Sequence, residues 1–512
     1  MPRDAGLRRF GADRLPPDLE TTLPETLERQ RRASRVPTVR AGASWHVDAV
    51  VLALATAVLR VPALLSSKPL VFDDGQYGAA AVAMRAGALP FREVFSSQGP
   101  LFLPLVYISD LLGGRALDAP RLLSVASGIT VTLAVYAAGR ELTDRRRALL
   151  AAALVACSGS VWWTTGPLTS DGPGAALACV TIAVALGYHR APTRRRAVVI
   201  GVVAAAAFAV KSLLVVPALA AAVLLLLGRR RRGDLVAAGV AAAALLVVVT
   251  LPWGVHKVVE QSVSYHTDQA GRRHVWTNVH KTFNTLGDRD APVLGAAVLA
   301  AVTALVGWRR RRPSQRRVFE WITTPHAAVA VWAVLAVVVL ALETPMWRNH
   351  LVHLVPALAL LAAIYRPPWA VLGVAALVLV PYHVLHVHDL WTPPPFKGSE
   401  AVVVQRLRAL PNGARAISDD PGLVWRAGHA TPPDFVDASI LRIESTRPGI
   451  RITGATVADG AGRRDVCAVV IWSSRFGGFR DLPERLQRGG YEQVLSFPGG
   501  RALWTRPCRA TR

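Results

Sequence analysis

Two adjacent aspartates, Asp73 and Asp74, stand in the stretch FDDGQY, just after the first long apolar run of a 512-residue chain. A carboxylate at the outer lip of a membrane cavity can take the proton of an acceptor hydroxyl, or hold that hydroxyl while a bond to a leaving group opens. With a pKa of about 4 an ordinary aspartate is a weak base, so orienting the hydroxyl is the larger part of such a role. The competing role is local: acids ahead of GQYGAAA cap a helix N-terminus and favour its dipole. A further carboxylate, Asp171, opens the stretch DGPGAALA and carries the same capping alternative, with Pro173 in the first turn. Lys211 interrupts apolar sequence on both sides; such a lysine either snorkels to the interface or meets a phosphate at the membrane surface. The stretch ETPMWRNHLVH presents Arg348, His350 and His353. The two histidines are three apart and share a helix face. Two ligands do not make a zinc site and no third is evident, so phosphate contact or cavity lining suits them better. SYHTDQAGRRHVW adds His266, Arg272 and Arg273 in a long polar loop, read either as a lid or acceptor contact or as an unstructured loop.

These residues need elements that place them at one membrane face. The chain is 52% hydrophobic and 18% charged, against about 25% charge in a soluble domain. Eleven apolar segments fall near 47–65, 118–139, 147–163, 171–189, 197–210, 213–228, 234–252, 291–308, 325–342, 349–364 and 367–386. Several approach the ~20 residues of a membrane-crossing helix. The expectation is a polytopic α-helical membrane protein with about eleven transmembrane helices. The net charge is +25, from 59 Lys+Arg against 34 Asp+Glu. Its clustering between apolar runs points to cytoplasmic loops and away from nucleic acid. With an Arg-rich N-terminus inside, the basic loops 139–147, 189–196, 228–234 and 308–317 all fall on the cytoplasmic side. The opposite face then receives 66–117, 164–170, 253–290 and everything after about 387.

The expected organisation is a basic, disordered cytoplasmic tail (1–45), a transmembrane core (46–390) and a small extracytoplasmic α/β domain (391–512). Within the core, 66–117 forms a first outer loop with interfacial helices at 75–87 and 100–114, and 253–290 forms another outer loop. In the C-terminal segment, 399–428 is expected to run helix, turn, strand and helix, DVCAVVIWS (465–473) to form a strand, and the remainder a helix and a hairpin. Cys157 and Cys179 lie in apolar runs as packing residues, whereas Cys467 and Cys508 can pair if their segment is extracytoplasmic. No glycine loop for a nucleotide phosphate is visible.

FDDGQY, the following QGPLFLPLVYISDLLG, DAPRLLSVASGITVTLAVYAAGREL and WRNHLVHLVPALALLAA together resemble the polytopic GT-C-type glycosyltransferases that use polyprenyl-phosphate sugars, of the protein O-mannosyltransferase and aminoarabinose-transferase type. The likeness covers roughly 47–386, and the last 120 residues are similar to the extracytoplasmic tail of actinobacterial members. The resemblance implies inverting transfer of a sugar from a polyprenyl-phosphate donor to an extracytoplasmic cell-envelope glycan, lipid or protein acceptor. It assigns Asp73 as general base or acceptor orienter and Asp74 as its partner or a metal contact. Lys211, Arg348, His350 and His353 would hold the donor phosphate, with Tyr77, Asp171, Gln98, His266, Arg272 and Arg273 as further cavity residues. A divalent cation, Mg or Mn, is left open, and the partners implied are donor, acceptor and membrane lipids. Two departures stand out: Gln76 replaces a common arginine, and Gln98-Gly99-Pro100 replaces a lysine-proline-proline motif. A lipid or sugar transporter, or a non-catalytic scaffold in envelope assembly, is the alternative.

Overall fold

The computed structural model describes residues 43–229, 231–268, 274–311, 324–344, 346–447 and 449–508. The expected N-terminal tail, and Arg272 and Arg273, lie outside the described residues. The chain divides into two units, Met1–Val50 and Val51–Arg512. Of the first, the described residues are the opening turns of helix α1 (Ala43–Leu64).

In the second unit α1 is followed by α2 (Phe72–Arg85), with Asp73 and Asp74 in its first turn and Arg85 in its last. Both charge placements favour the helix dipole. The helix stops at Ala86 and Gly87, where φ is 90°. The short apolar α3 (Phe102–Leu112) follows, tied back to α2 by Arg85 Nε and Nη2 on Asp110 at 2.7 and 2.5 Å. Both expected segments are thus helical, and neither has the length to cross a bilayer.

All eleven apolar segments are helical. After α4 (Leu122–Leu142) come α5 (Arg145–Cys157) and α6 (Gly159–Thr165), then α7 (Asp171–Arg190), α8 (Arg194–Val210), α9 (Val216–Leu227) and α10 (Arg232–Thr250). The series continues with α11 (Val275–Arg311), α12 (Pro325–Leu342), α13 (Val355–Tyr365) and α14 (Trp369–Trp391). Among the described residues eight helices are long and apolar enough to cross a membrane, or nine if α5 and α6 count as one span bent by 59°. The expected eleven therefore reduces to eight or nine by length, because α8 has 17 residues and α9 only 12. Ser158 makes the α5–α6 bend: its Oγ caps Val161 N and donates to Asp290, which also accepts from Ser160. Asp290 is itself a break in α11, with φ −138° and ψ 30° ahead of Pro292. The outer loop expected at 253–290 is consequently helical over most of its second half, and the apolar run predicted from 291 begins at this break.

Alanine and small residues dominate the buried face shared by α4, α7, α8 and α13, which lets the helices approach closely. α7 is well enclosed, with 13 of its 20 residues buried. α10 has only Ala238 buried and leaves Val236, Val240, Val247 and Val248 outward, as a lipid-facing helix requires.

After α15 (Gly398–Arg408) the chain forms a four-stranded sheet from β1 (Arg415–Ser418), β2 (Val466–Ile471), β3 (Glu492–Phe497) and β4 (Arg501–Thr505), in the order β1-β2-β4-β3. β1 runs parallel to β2, and β4 is antiparallel to both β2 and β3. Every residue of β2 is buried, which explains its unbroken apolar sequence VCAVVI. Helix α16 (Pro421–Arg426) leaves β1 toward α2. Cys467 in β2 forms a disulfide with Cys508 beyond β4.

Candidate active site around the first turn of α2

The two adjacent acids of α2 have different fates. Asp74 is fully buried and its oxygens are fully used. Oδ1 accepts from Arg121 Nε at 3.1 Å and Leu168 N at 2.9 Å; Oδ2 accepts from Arg121 Nη2 at 2.6 Å and Leu70 N at 2.9 Å. Arg121 also donates to the carbonyls of Ser66 and Lys68, each at 2.7 Å. This carboxylate therefore anchors α2 to the entry of α4 and to the loop before α7. The expectation left Asp74 as a partner of Asp73 or a metal contact; here each of its oxygens already accepts two hydrogen bonds. Among the described residues no group of three or more His, Cys, Asp and Glu is arranged to hold a metal ion.

Asp73, one position earlier, is half-buried, and among the described residues no donor hydrogen-bonds its carboxylate. Burial lifts its pKa from 3.8 to about 6; Lys211 draws it down, Asp171 and Asp437 push it up, and His350 opposes them. Those influences also locate it, because they are the charged groups that face it.

Asp171 is the hub of the neighbouring cluster. It is fully buried in the first turn of α7, where the helix N-cap is Ser170. Oδ1 lies 3.3 Å from Lys211 Nζ, 3.5 Å from His353 Nε2 and 3.9 Å from His350 Nε2. Oδ2 accepts from Asn349 Nδ2 at 2.8 Å. His350 Nδ1 is 2.7 Å from Glu343 Oε2, which completes a line from Glu343 through His350 to Asp171. The histidines occupy a 3-10 turn, Arg348–His353, in which positions three apart eclipse and point the same way. Lys211 does not snorkel. It sits at the C-cap of α8 with Nζ 3.3 Å from Gln98 Oε1 and 3.4 Å from Ser170 Oγ. Gln98 Oε1 accepts from Ser170 Oγ as well, at 2.9 Å. A lysine from a different element thus reaches the glutamine that replaces the motif lysine.

Tyr77 is one helical turn beyond Asp73 and buried, edge-on to Phe102 with centroids 4.6 Å apart. Burial, followed by the negative charges of Asp73, Asp437 and Asp171, pushes its phenol well above the ordinary value, with a Gln98 hydrogen bond opposing. Tyr77 is therefore a neutral donor at physiological pH. His266 lies at the edge of the group, exposed, with Nε2 2.9 Å from Ser97 O. Arg348 is exposed, and its charge is felt at Lys281 and Arg289. Glu343, Asn349, Ser170 and Asp437 were not singled out from sequence. Asn349 and Glu343 carry a local signal, since they flank the histidines; Asp437, 361 residues from its partner Gln76, has none.

The opposite face of α2 receives α16. A Cβ on Gly78 would overlap the Trp425 ring, and one on Gly75 would overlap Gly422. Two guanidiniums lie over the Trp425 ring, Arg121 at 5.1 Å and Arg426 at 4.9 Å. Arg426 continues to Asp118 Oδ1 at 2.5 Å and Ser66 O at 2.7 Å.

The family model described as dolichyl-phosphate-mannose-protein mannosyltransferase matches residues 97–255, a span that includes Gln98, Asp171 and Lys211 and stops short of Asp73. No curated protein matches the chain. Among solved structures, ArnT from Cupriavidus metallidurans bound to undecaprenyl phosphate superposes with a TM-score of 0.59 at 15% identity, covering 91% of this chain and 98% of that one. The apo oligosaccharyltransferase of Archaeoglobus fulgidus superposes with a TM-score of 0.55 at 13% identity, covering 91% of this chain and 75% of its own. The chain thus shares the GT-C-like fold of these polytopic membrane proteins, C-terminal segment included.

Proposed function

We propose that this chain transfers a sugar, with inversion, from a polyprenyl-phosphate donor to a hydroxyl of an extracytoplasmic envelope acceptor. The observation that carries the reading is the convergence, within a shared fold, of an unbonded carboxylate (Asp73) with a lysine, a glutamine and two histidines that the sequence scatters over 281 positions. In the proposed step Asp73 accepts the acceptor's hydroxyl proton as oxygen bonds to the anomeric carbon. The bond from that carbon to the phosphate oxygen breaks, and polyprenyl phosphate leaves. A carboxylate titrating at about 6 is a better base than an ordinary aspartate and is still ionised at pH 7. Lys211 supplies charge for the phosphate, with His350 and His353 beside it and the neutral Tyr77 hydroxyl as a donor.

The same reading places the N-terminus in the cytoplasm and the C-terminal domain outside, with eleven crossings that include the short α8 and α9. Two observations favour it. The arginine-rich helix starts at 145 and 194, capped by Asp144 and Thr193, then share one face with the other basic loops. The Cys467–Cys508 disulfide suits an oxidising compartment.

The test is purified full-length chain in lipid nanodiscs, given a panel of radiolabelled polyprenyl-phosphate sugars and envelope acceptors, with and without chelator. Label should pass to one acceptor, and Asp73→Asn should abolish that transfer while protein level and undecaprenyl-phosphate binding persist. Transfer that survived the substitution would remove Asp73 as base. Movement of labelled lipid across vesicles with no acceptor extended would instead establish a transporter.

A further inference from the structure

Asp437 is a third carboxylate facing the site, and it comes from the C-terminal segment. It is 1% exposed. Its Oδ2 accepts from Gln76 Nε2, on α2, at 2.9 Å, and its Oδ1 accepts from Ser439 N, also at 2.9 Å. Among the described residues no cation pairs with it. Arg442 lies within electrostatic reach, but its Nε and Nη1 donate to the backbone carbonyls of Ile450, Asp434 and Asp437, and its guanidinium covers Phe95 at 4.4 Å. A buried carboxylate with no direct salt bridge, facing other carboxylates, is costly to maintain. A turn-capping residue would not need the charge, since an asparagine caps Ser439 equally well.

We propose that Asp437 is a positioning residue of the transfer site: held on α2 through Gln76, it sets the proton-accepting state of Asp73, so that the C-terminal domain completes the site. This rests on the reading of Asp73 as proton acceptor. The groups facing Asp73 are Lys211 after α8, Asp171 on α7, His350 in the 348–353 turn, Asp437 in the C-terminal segment and, on its own helix, Tyr77. Asp171 already has Lys211, Asn349 and the histidines, so its charge is largely balanced within the cluster. Asp437 makes no direct ion pair among the described residues, and its field reaches Asp73 and Tyr77 as well as Arg442. The position also accounts for Gln76. An arginine there would pair with Asp437 and cancel its field, whereas glutamine holds the carboxylate and leaves the charge in place.

The experiment follows Asp73 directly. Dicyclohexylcarbodiimide modifies protonated carboxyls in membrane proteins, so its labelling of the Asp73 peptide, read by mass spectrometry from pH 4.5 to 8, reports the protonation of that side chain without any substrate. In full-length wild type in nanodiscs the midpoint should lie at about 6. In Asp437→Asn it should fall by about half a pH unit or more. The acid limb of kcat/KM, measured with whichever donor and acceptor wild type turns over, should move with it. Gln76→Met, which cuts the link from the α2 side and leaves the Ser439 turn intact, should raise the acceptor KM several-fold at temperatures where the variant is fully folded. An unchanged Asp73 midpoint in Asp437→Asn together with an unchanged KM in Gln76→Met would overturn the proposal. If Asp437→Asn does not fold, the Gln76→Met result decides alone. Failure of the underlying reading looks different: Asp73→Asn would transfer sugar normally whatever the labelling midpoint.

Discussion

The chain holds two aspartate doublets, Asp73-Asp74 and Asp419-Asp420, each just ahead of or within the first turn of a short helix, and the two helices pack on each other through Gly75 and Gly422. In both, one carboxylate is saturated and the other is not. Asp74 takes four donors from Arg121, Leu168 and Leu70; Asp419 takes the amides of Trp472, Ser473 and Phe476 and the Ser473 hydroxyl. The partners Asp73 and Asp420 are each half-exposed and each lifted by burial to about 6. The difference lies in what faces them. Asp420 still caps Gly422 N at 3.2 Å and looks at Arg475, which is stacked over Phe72 at 4.1 Å. Asp73 caps nothing and looks at Lys211, Asp171, Asp437 and His350. A doublet can thus divide the work of holding a helix from the work of meeting a substrate, and only the neighbours reveal which member does which.

The comparison breaks most visibly at its anchor. Arg121→Met leaves Asp74 buried and unpaired, which should cost about 3–5 kcal/mol of stability, seen as a large fall in Tm in detergent and a loss of folded protein. Asp73→Asn should instead lower kcat by about 10²–10⁴-fold with Tm at neutral pH level or raised; equal damage from the two substitutions would erase the distinction. Gly78→Leu drives a side chain into the Trp425 ring and should cost about 1–3 kcal/mol, with a smaller loss of activity from displacement of α2. Asp420→Asn keeps its cap on Gly422 and should leave transfer at the wild-type rate.

The smallest effect is in pH dependence. Asp73 and Asp420 both bind protons more tightly folded, at about 6, than at their ordinary 3.8. The native chain therefore holds more protons than the unfolded chain through that window, and stability falls as pH rises from about 4 to about 6, then levels. Asp73→Asn and Asp420→Asn should each flatten part of that slope in thermal unfolding measured across pH. The transfer rate should rise over the same interval as Asp73 ionises.

Much of the architecture was legible because membrane spans advertise themselves: each of the eleven apolar runs became a helix, and VCAVVI became the central strand. Length misled for α8 and α9, whose apolar sequence runs through the turn at Lys211–Val215. The break at Asp290 was invisible because it depends on Ser158 and Ser160, more than a hundred positions away. In the site, residue types on short motifs were found, and the charge state of each was not. Nothing in FDDGQY says which aspartate Arg121 will take. Lys211 was found as an isolated charge, but its meeting with Gln98 requires α8 to end against the start of α7. Asp437 lies in polar sequence that resembles any loop, and only the docking of the C-terminal segment gives it a partner.

That docking has a mechanical consequence. With the Gly78 backbone against the Trp425 indole and two guanidiniums over its ring, α2 and α16 cannot slide by one residue without driving the side chain of Tyr77 or Ala79 into the ring. The position of Asp73 is therefore indexed to the C-terminal domain, like a tooth held in a ratchet, and is not left to the apolar surface of α2 to find.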